Sequence, residues 1–254
     1  MGGALAHAVL SLGSESVLIN DYNKEKALAF CKENGGEYAE SEKILCECDF
    51  IFLGVKPNVL PTLLTNLSGA IEKRPDSTLV SMAAGVSIAK IETALSSPHA
   101  VIRIMPNTPA AIGEAMITWC KNGMVSEERA AEFLRIMSGA GRLDAIDERL
   151  IDAASAVAGC GPAFVYMFIE ALADGGVECG LPRDKAMLYA IETLKGAAYM
   201  VQKTGKHPAQ LKDEVCSPGG STIEGVRALE EGAFRATASS AVIAAFEKTK
   251  KLGQ

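Results

Sequence analysis

The chain has 254 residues, 48% hydrophobic and 22% charged, which excludes a disordered polymer and allows one large or two modest domains. Its net charge of −6 argues against nucleic acid or an anionic membrane surface as the main partner. The seven cysteines are scattered and odd in number, and Cys46-Glu47-Cys48 lacks the gap and the nearby His of a zinc knuckle, so reduced thiols in a cytoplasmic, metal-free protein are expected.

Met1 to Leu10 (MGGALAHAVL) reads as a helix start with no strand before it. Val17 to Asn20 is a short strand ending in Asp21, and Lys24 to Asn34 has helical character. If Gly2 is the last glycine of a Gly-x-Gly-x-x-Gly turn, Asp21 stands at about the spacing of the acid that takes adenine-ribose hydroxyls. On that reading about ten residues, a strand and two glycines, are missing ahead of Met1. The other reading makes Met1 a genuine start of an unusual domain. No signal peptide is recognised, and no apolar run is expected to approach a transmembrane span.

Asp49 to Val55, Thr78 to Met82 and Ala100 to Met105 are continuous apolar runs of strand length. Runs without polar alternation suit strands buried on both faces, as in a parallel sheet. Helices are expected near Val59–Leu67, Ser87–Leu95 and Ser126–Ser138, and further strands near Ala115–Thr118 and Arg142–Ile146. The alternation predicts a doubly wound α/β domain over residues 1–146. Its ligand belongs outside the carboxyl ends of the strands. The loops there are Asp21–Asn23, Val55–Pro57, Ala83–Gly85 and Met105–Thr108. Lys56 is either a donor to ribose or phosphate or simply a solvated charge.

Residues 147–254 read as all helical. Gly159-Cys160-Gly161-Pro162 is expected to interrupt, followed by helices over Ala163–Val177, from Asp184 to about Thr204, near Ala209–Val215, and over Ala233–Lys251. Helices this apolar favour burial in an oligomer, most simply a dimer. Ser217-Pro218-Gly219-Gly220-Ser221-Thr222 leads into another helical stretch. A Pro-Gly-Gly turn before a helix bares N–H groups at a positive dipole end, a trap for a small carboxylate or phosphate. The same residues also suit an ordinary helix cap.

The chain resembles the pyrroline-5-carboxylate reductases over Met1 to Leu252. The stretches that carry the likeness are Val55-Lys56-Pro57, Met105 to Pro109 (MPNTP), Gly159 to Ala163 (GCGPA), Ala171 to Gly176 (ALADGG), Gly180-Leu181-Pro182 and Ser217 to Leu229. The resemblance implies a Rossmann-like doubly wound sheet lacking its first strand, followed by an all-α dimerisation domain. It implies reduction of 1-pyrroline-5-carboxylate to L-proline with NADPH or NADH, in a homodimer that assembles further into a decamer in some members. It also implies that the substrate carboxylate sits at Ser217, Gly219, Gly220, Ser221 and Thr222, with Thr222 the catalytic contact. Glu148 is placed beside the substrate, the other reading being a helix-start charge. Cofactor contacts carry over to Gly2, Asn20, Asp21, Val55, Lys56, Pro57, Ala83 and Ala84. Ser41 stands where family members often have Asn. Asn107 lies near the nicotinamide or is a turn-forming Asn between prolines.

The reaction suits a site without an obvious acid, because a protonated cyclic imine takes hydride at carbon without a further proton in that step. Similar two-domain hydroxyacid dehydrogenases carry a Lys on the first interdomain helix, and Gly159–Ala171 contains none. That absence counts against a hydroxyacid dehydrogenase. The remaining alternative is a dimerising protein that binds no dinucleotide. Asp21 would repel a 2′-phosphate and favours NADH, with Lys24 and Lys26 placed to offset it.

Overall fold

The computed structural model describes residues 1–13 and 15–252. Backbone contacts divide it into two units, one of Met1–Cys160 with the end of the chain from Ala244, and one of Gly161–Ile243.

The first unit opens with α1 (Gly2–Ser11), β1 (Leu18–Ile19), α2 (Lys24–Asn34), β2 (Glu37–Tyr38) and α3 (Ser41–Glu47). β3 (Phe50–Leu53), α4 (Leu60–Ile71), β4 (Thr78–Ser81), α5 (Ile88–Thr93) and β5 (Ala100–Met105) follow in strict alternation. β6 (Ala115–Lys121), α6 (Glu127–Ile136), β7 (Gly141–Ala145) and α7 (Glu148–Ala154) complete it. β3 to β7 form one sheet in chain order, while β1 and β2 pair separately in parallel.

Neighbouring residues on the central strands enter opposite cores. Val80, Ile102 and Ile104 pack with α1, Trp119 and Phe133. Leu79 and Val101 pack with Ile51, Leu60, Leu64 and Ile91. Side chains alternate across a strand, so a sheet covered on both sides needs apolar residues at every position. The unbroken apolar runs have that cause.

One strand departs from the expected parallel sheet: β6 runs antiparallel to β5. A parallel partner needs a long crossover, whereas residues 106–114 hold only a 3-10 turn, Thr108–Ile112. β7 then pairs parallel to β6.

The expected interruption at Gly159–Pro162 does not break the helix. A single π turn, Ser155–Gly159, carries α7 into α8 (Gly161–Glu178), with the Cys160 N–H donating to Ser155 O at 3.0 Å. Pro162 sits in the first turn of α8 and has no N–H to offer the turn before it. The resulting helical run, Glu148–Glu178, is long and apolar enough to cross a membrane by length and composition, contrary to the sequence expectation. The same properties describe a helix that meets another subunit. The predicted boundary at residues 146 and 147 also differs from the backbone division after Cys160, because α7 is bonded to β5 through Arg103.

In the second unit, α8 and α9 (Arg183–Thr204) pack through Ala173, Ala186 and Ala190. Gly176 permits the approach, since a Cβ there would stand 3.2 Å from Ala186 Cβ. α9 begins one residue before the expected start, with Pro182 at its N-cap position and Asp184 in its first turn. α10 (Pro208–Val215) and α11 (Ser221–Glu231) bury none of their residues. α12 (Phe234–Leu252) passes from this unit into the first. Val165, Tyr166, Met167, Leu188, Tyr189 and Ile191 are exposed, so this unit leaves much of its apolar surface uncovered within one chain.

Candidate functional site

The Ser217–Thr222 segment folds as the turn its residues dictate. Pro218 and Gly219 occupy the centre, Gly219 has φ +67°, and the Gly220 N–H donates to Ser217 O at 3.1 Å. That is the arrangement of a type II turn, with Pro first and glycine at the left-handed position. A Cβ on Gly220 would meet Ser217 Oγ, which would have to rotate away. Gly220 is the N-cap of α11, and no side chain caps the helix. The alternative of an ordinary Ser or Thr cap is therefore not realised. The first-turn N–H groups lack a side-chain acceptor, at the end of the helix that favours anions. Ser221 and Thr222 are both exposed there.

On the first unit, α1 begins at Gly2 after Met1 and likewise carries no side-chain cap. Apart from its chain neighbours and its own helix backbone, none of the described residues lies within 4 Å of where a Gly2 Cβ would stand. Gly54, just after β3, approaches it, a Cβ there standing 3.7 Å from Gly2 Cα. Asn20 follows β1 and donates from Nδ2 to Ala39 O at 2.8 Å, which ties β1 to the turn after β2. Asp21 Oδ1 accepts from the Asn23 N–H at 3.0 Å, and Oδ2 lies 3.6 Å from Lys26 Nζ. Lys24 instead pairs with Glu40 at 3.5 Å and lies over the Tyr38 ring. Ser41 is half-buried at the start of α3, a helix the sequence reading did not foresee.

Val55 and Pro57 are half-buried and Lys56 exposed in the turn after β3. Lys56 O accepts from the Val59 and Leu60 N–H groups and so opens α4. Ala83 is 1% exposed, Ala84 half-buried, and Gly85 has φ +74°. The strand order thus brings Gly2, Val55–Pro57 and Ala83–Gly85 to the ends of β3 and β4.

Asn107 is buried, and both ends of its amide are engaged. Oδ1 accepts from the Met116 N–H at 3.1 Å, and Nδ2 donates to Ala158 O at 3.0 Å. The usual helical donor to Ala158 O would be residue 162, a proline without an N–H. Asn107 supplies the missing donor. Its side chain bridges β6 and the π turn, a role distinct from the turn-forming one.

Glu148 lies in the first turn of α7, behind Asp147. Asp147 caps the helix by accepting from the Arg149 N–H at 2.9 Å, and its bonds to Arg149 hold its carboxyl down to about 2. Glu148 Oε1 accepts from the Ile88 N–H at 2.7 Å and from Arg103 Nη1 at 3.3 Å. Arg103 Nη2 reaches Asp152 at 2.5 Å. Cys120, paired with Arg103 across β5 and β6, has its thiol pushed up to about 11, first by burial and then by the Glu148 charge, so it stays protonated. Sequence reasoning missed Arg103, although a lone charge within AVIRIM marks it. Among the described residues no group of acidic, His and Cys side chains is arranged to hold a metal.

The family model described as "Pyrroline-5-carboxylate reductase dimerisation" matches residues 148–252, and one described as "NADP oxidoreductase coenzyme F420-dependent" matches residues 1–85. The pyrroline-5-carboxylate reductase of Escherichia coli (strain K12) is 38% identical over 100% of this chain and 93% of its own length. That of Arabidopsis thaliana is 43% identical over 85% of this chain and 78% of its own. The crystal structure of Plasmodium falciparum pyrroline carboxylate reductase with NADP bound is similar with a TM-score of 0.91, 34% identity, and coverage of 100% of this chain and 95% of that one.

Proposed function

The chain belongs to the pyrroline-5-carboxylate reductase family, and from that premise we propose that it reduces 1-pyrroline-5-carboxylate to L-proline, the last step of proline biosynthesis. NADPH or NADH, when bound, supplies the hydride. The uncapped start of α11 carries this reading for the substrate: its N–H groups and the Ser221 and Thr222 hydroxyls are donors suited to a carboxylate. Ser217 and Gly219 shape the turn that presents them, and Thr222 is the contact assigned to catalysis.

For the cofactor, the uncapped first turn of α1 at Gly2 suits a pyrophosphate, and Asp21 suits ribose hydroxyls. Val55, Lys56, Pro57, Ala83 and Ala84 complete the set, with Asn20 and Ser41 at its adenosine end and Asn107 toward the nicotinamide. Asp21 and its Lys26 partner favour NADH while leaving NADPH usable. The residues act by binding and orientation. An imine that arrives already protonated asks for no proton from the protein when hydride adds at carbon.

The dimerisation region over residues 148–252 supports a homodimer. We extend this to a decamer of five dimers in the cytoplasm; the seven free cysteines suit a reducing compartment. The direct assay follows NADH or NADPH absorbance with pyrroline-5-carboxylate present and identifies the product. Substrate-dependent oxidation with formation of L-proline supports the proposal. Absence of both turnover and binding of reduced cofactor would favour the alternative of a dimerising protein that binds no dinucleotide.

A further inference from the structure

All six residues of β5 are buried, and Arg103 is the charged one among them, 3% exposed. A buried guanidinium is costly unless it is paired and hydrogen-bonded. Arg103 is paired twice, with Glu148 and Asp152, which stand four residues apart on one face of α7. Its Nε is nonetheless buried without a partner among the described residues. Apolar residues of similar volume often serve stability as well as such a network does. Its distinguishing property here is what it connects.

A single oxygen, Glu148 Oε1, accepts from both Arg103 on β5 and the Ile88 N–H at the start of α5. Ile88 follows Ala83-Ala84-Gly85 after only Val86 and Ser87. The Val86 N–H donates back to Ala83 O at 3.3 Å, which makes the connection a tight turn. Ile88 is thus tied through that turn to the Ala83–Gly85 loop.

We infer that Glu148, held in place by Arg103, is a positioning residue for the Ala83–Gly85 loop and affects the reaction through cofactor placement rather than by touching the substrate. This rests on the proposed assignment of that loop to NAD(P)H. Arg103 orients the carboxylate, Asp152 balances the second arm of the guanidinium, and Glu148 carries the restraint to α5.

The test compares Glu148→Ala with Glu148→Gln, whose amide oxygen still accepts from Ile88. Measurements are the Kd for NADH by fluorescence and the KM for pyrroline-5-carboxylate at saturating NADH. Glu148→Ala is expected to weaken NADH binding about tenfold, the scale of one hydrogen bond to a charged group. Its substrate KM should stay within about twofold, and Glu148→Gln should restore NADH binding to within about threefold. A Glu148→Gln enzyme with intact NADH binding and a substrate KM raised about tenfold would overturn the inference and make the carboxylate a substrate contact. Unchanged NADH binding in Glu148→Ala would overturn it too. Should Glu148→Ala fail to fold, Glu148→Gln decides on the same two readouts. Failure of the unsubstituted protein to bind NADH is the separate result that removes the functional reading, and this one with it.

Discussion

Asn107 and Ala158 are joined by a 3.0 Å hydrogen bond that replaces the donor Pro162 cannot supply. The other end of the same amide accepts from the Met116 N–H. One side chain thus fixes the start of β6 to the π turn that leads into α8. Asn107→Ala should destabilise the protein by about 2 kcal/mol, since it removes two hydrogen bonds worth roughly 1 kcal/mol each. Asn107→Asp, which sets a carboxylate oxygen against Ala158 O in a buried site, should cost at least as much near neutral pH. Urea unfolding measures both. Equal stability of Asn107→Ala and the unsubstituted protein would deny the bridge its role.

Thr222→Ala should lower kcat/KM for pyrroline-5-carboxylate by a factor equivalent to roughly 1 to 3 kcal/mol, the range for a hydrogen bond to a charged group. Thr222 is exposed in a helix with no buried residue, so folding should be unaffected. Unchanged kcat/KM in this variant would remove Thr222 from the carboxylate clamp.

Asp21→Ser frees Lys26 from its 3.6 Å ion pair and removes the charge that opposes a 2′-phosphate. The ratio of kcat/KM for NADPH to that for NADH should rise about tenfold or more, as expected for replacing a repulsive charge by an available cation. A ratio that does not move, or a parent enzyme with a strong NADPH preference, counts against the assignment of Asp21.

Stability should fall on acidification because of His99. The residue is 1% exposed, its Nε2 lies 3.1 Å from Ser77 Oγ, and its Nδ1 is without a partner among the described residues. Burial pushes its pKa below the ordinary value of 6.5, with the bond at Ser77 and the Asp76 charge opposing. The folded form thus resists a proton that the unfolded chain accepts below pH 6.5. The contribution is complete above that pH and is lost as pH falls through it toward the depressed folded value. His99→Gln should flatten the stability profile between pH 7 and pH 5 in urea titrations; an unchanged slope would show that another group titrates.

The sequence made the strand set legible because a sheet covered on both faces demands continuous apolar runs, and β5 has the predicted bounds. The direction of β6 was not legible, since periodicity reports burial and not polarity; the short segment before it was the available clue. Gly159 and Pro162 read as a break because both residues are poor within helices, but the π turn absorbs one and the first turn of α8 the other. α3 was missed, its seven residues being too short to establish a period. At the candidate site, the turn at Ser217–Thr222 was legible from local residue chemistry. The bonds from Glu148 to Ile88 and from Asn107 to Ala158 join residues far apart in the chain and carry no local signal.

The most direct measurement of the central claim uses NADH deuterated at the transferable C4 position, with pyrroline-5-carboxylate as substrate and proline examined by mass spectrometry and NMR. One deuterium should appear at C5 of L-proline for each cofactor oxidised. Oxidation of the cofactor with no deuterium at that carbon would contradict the claim.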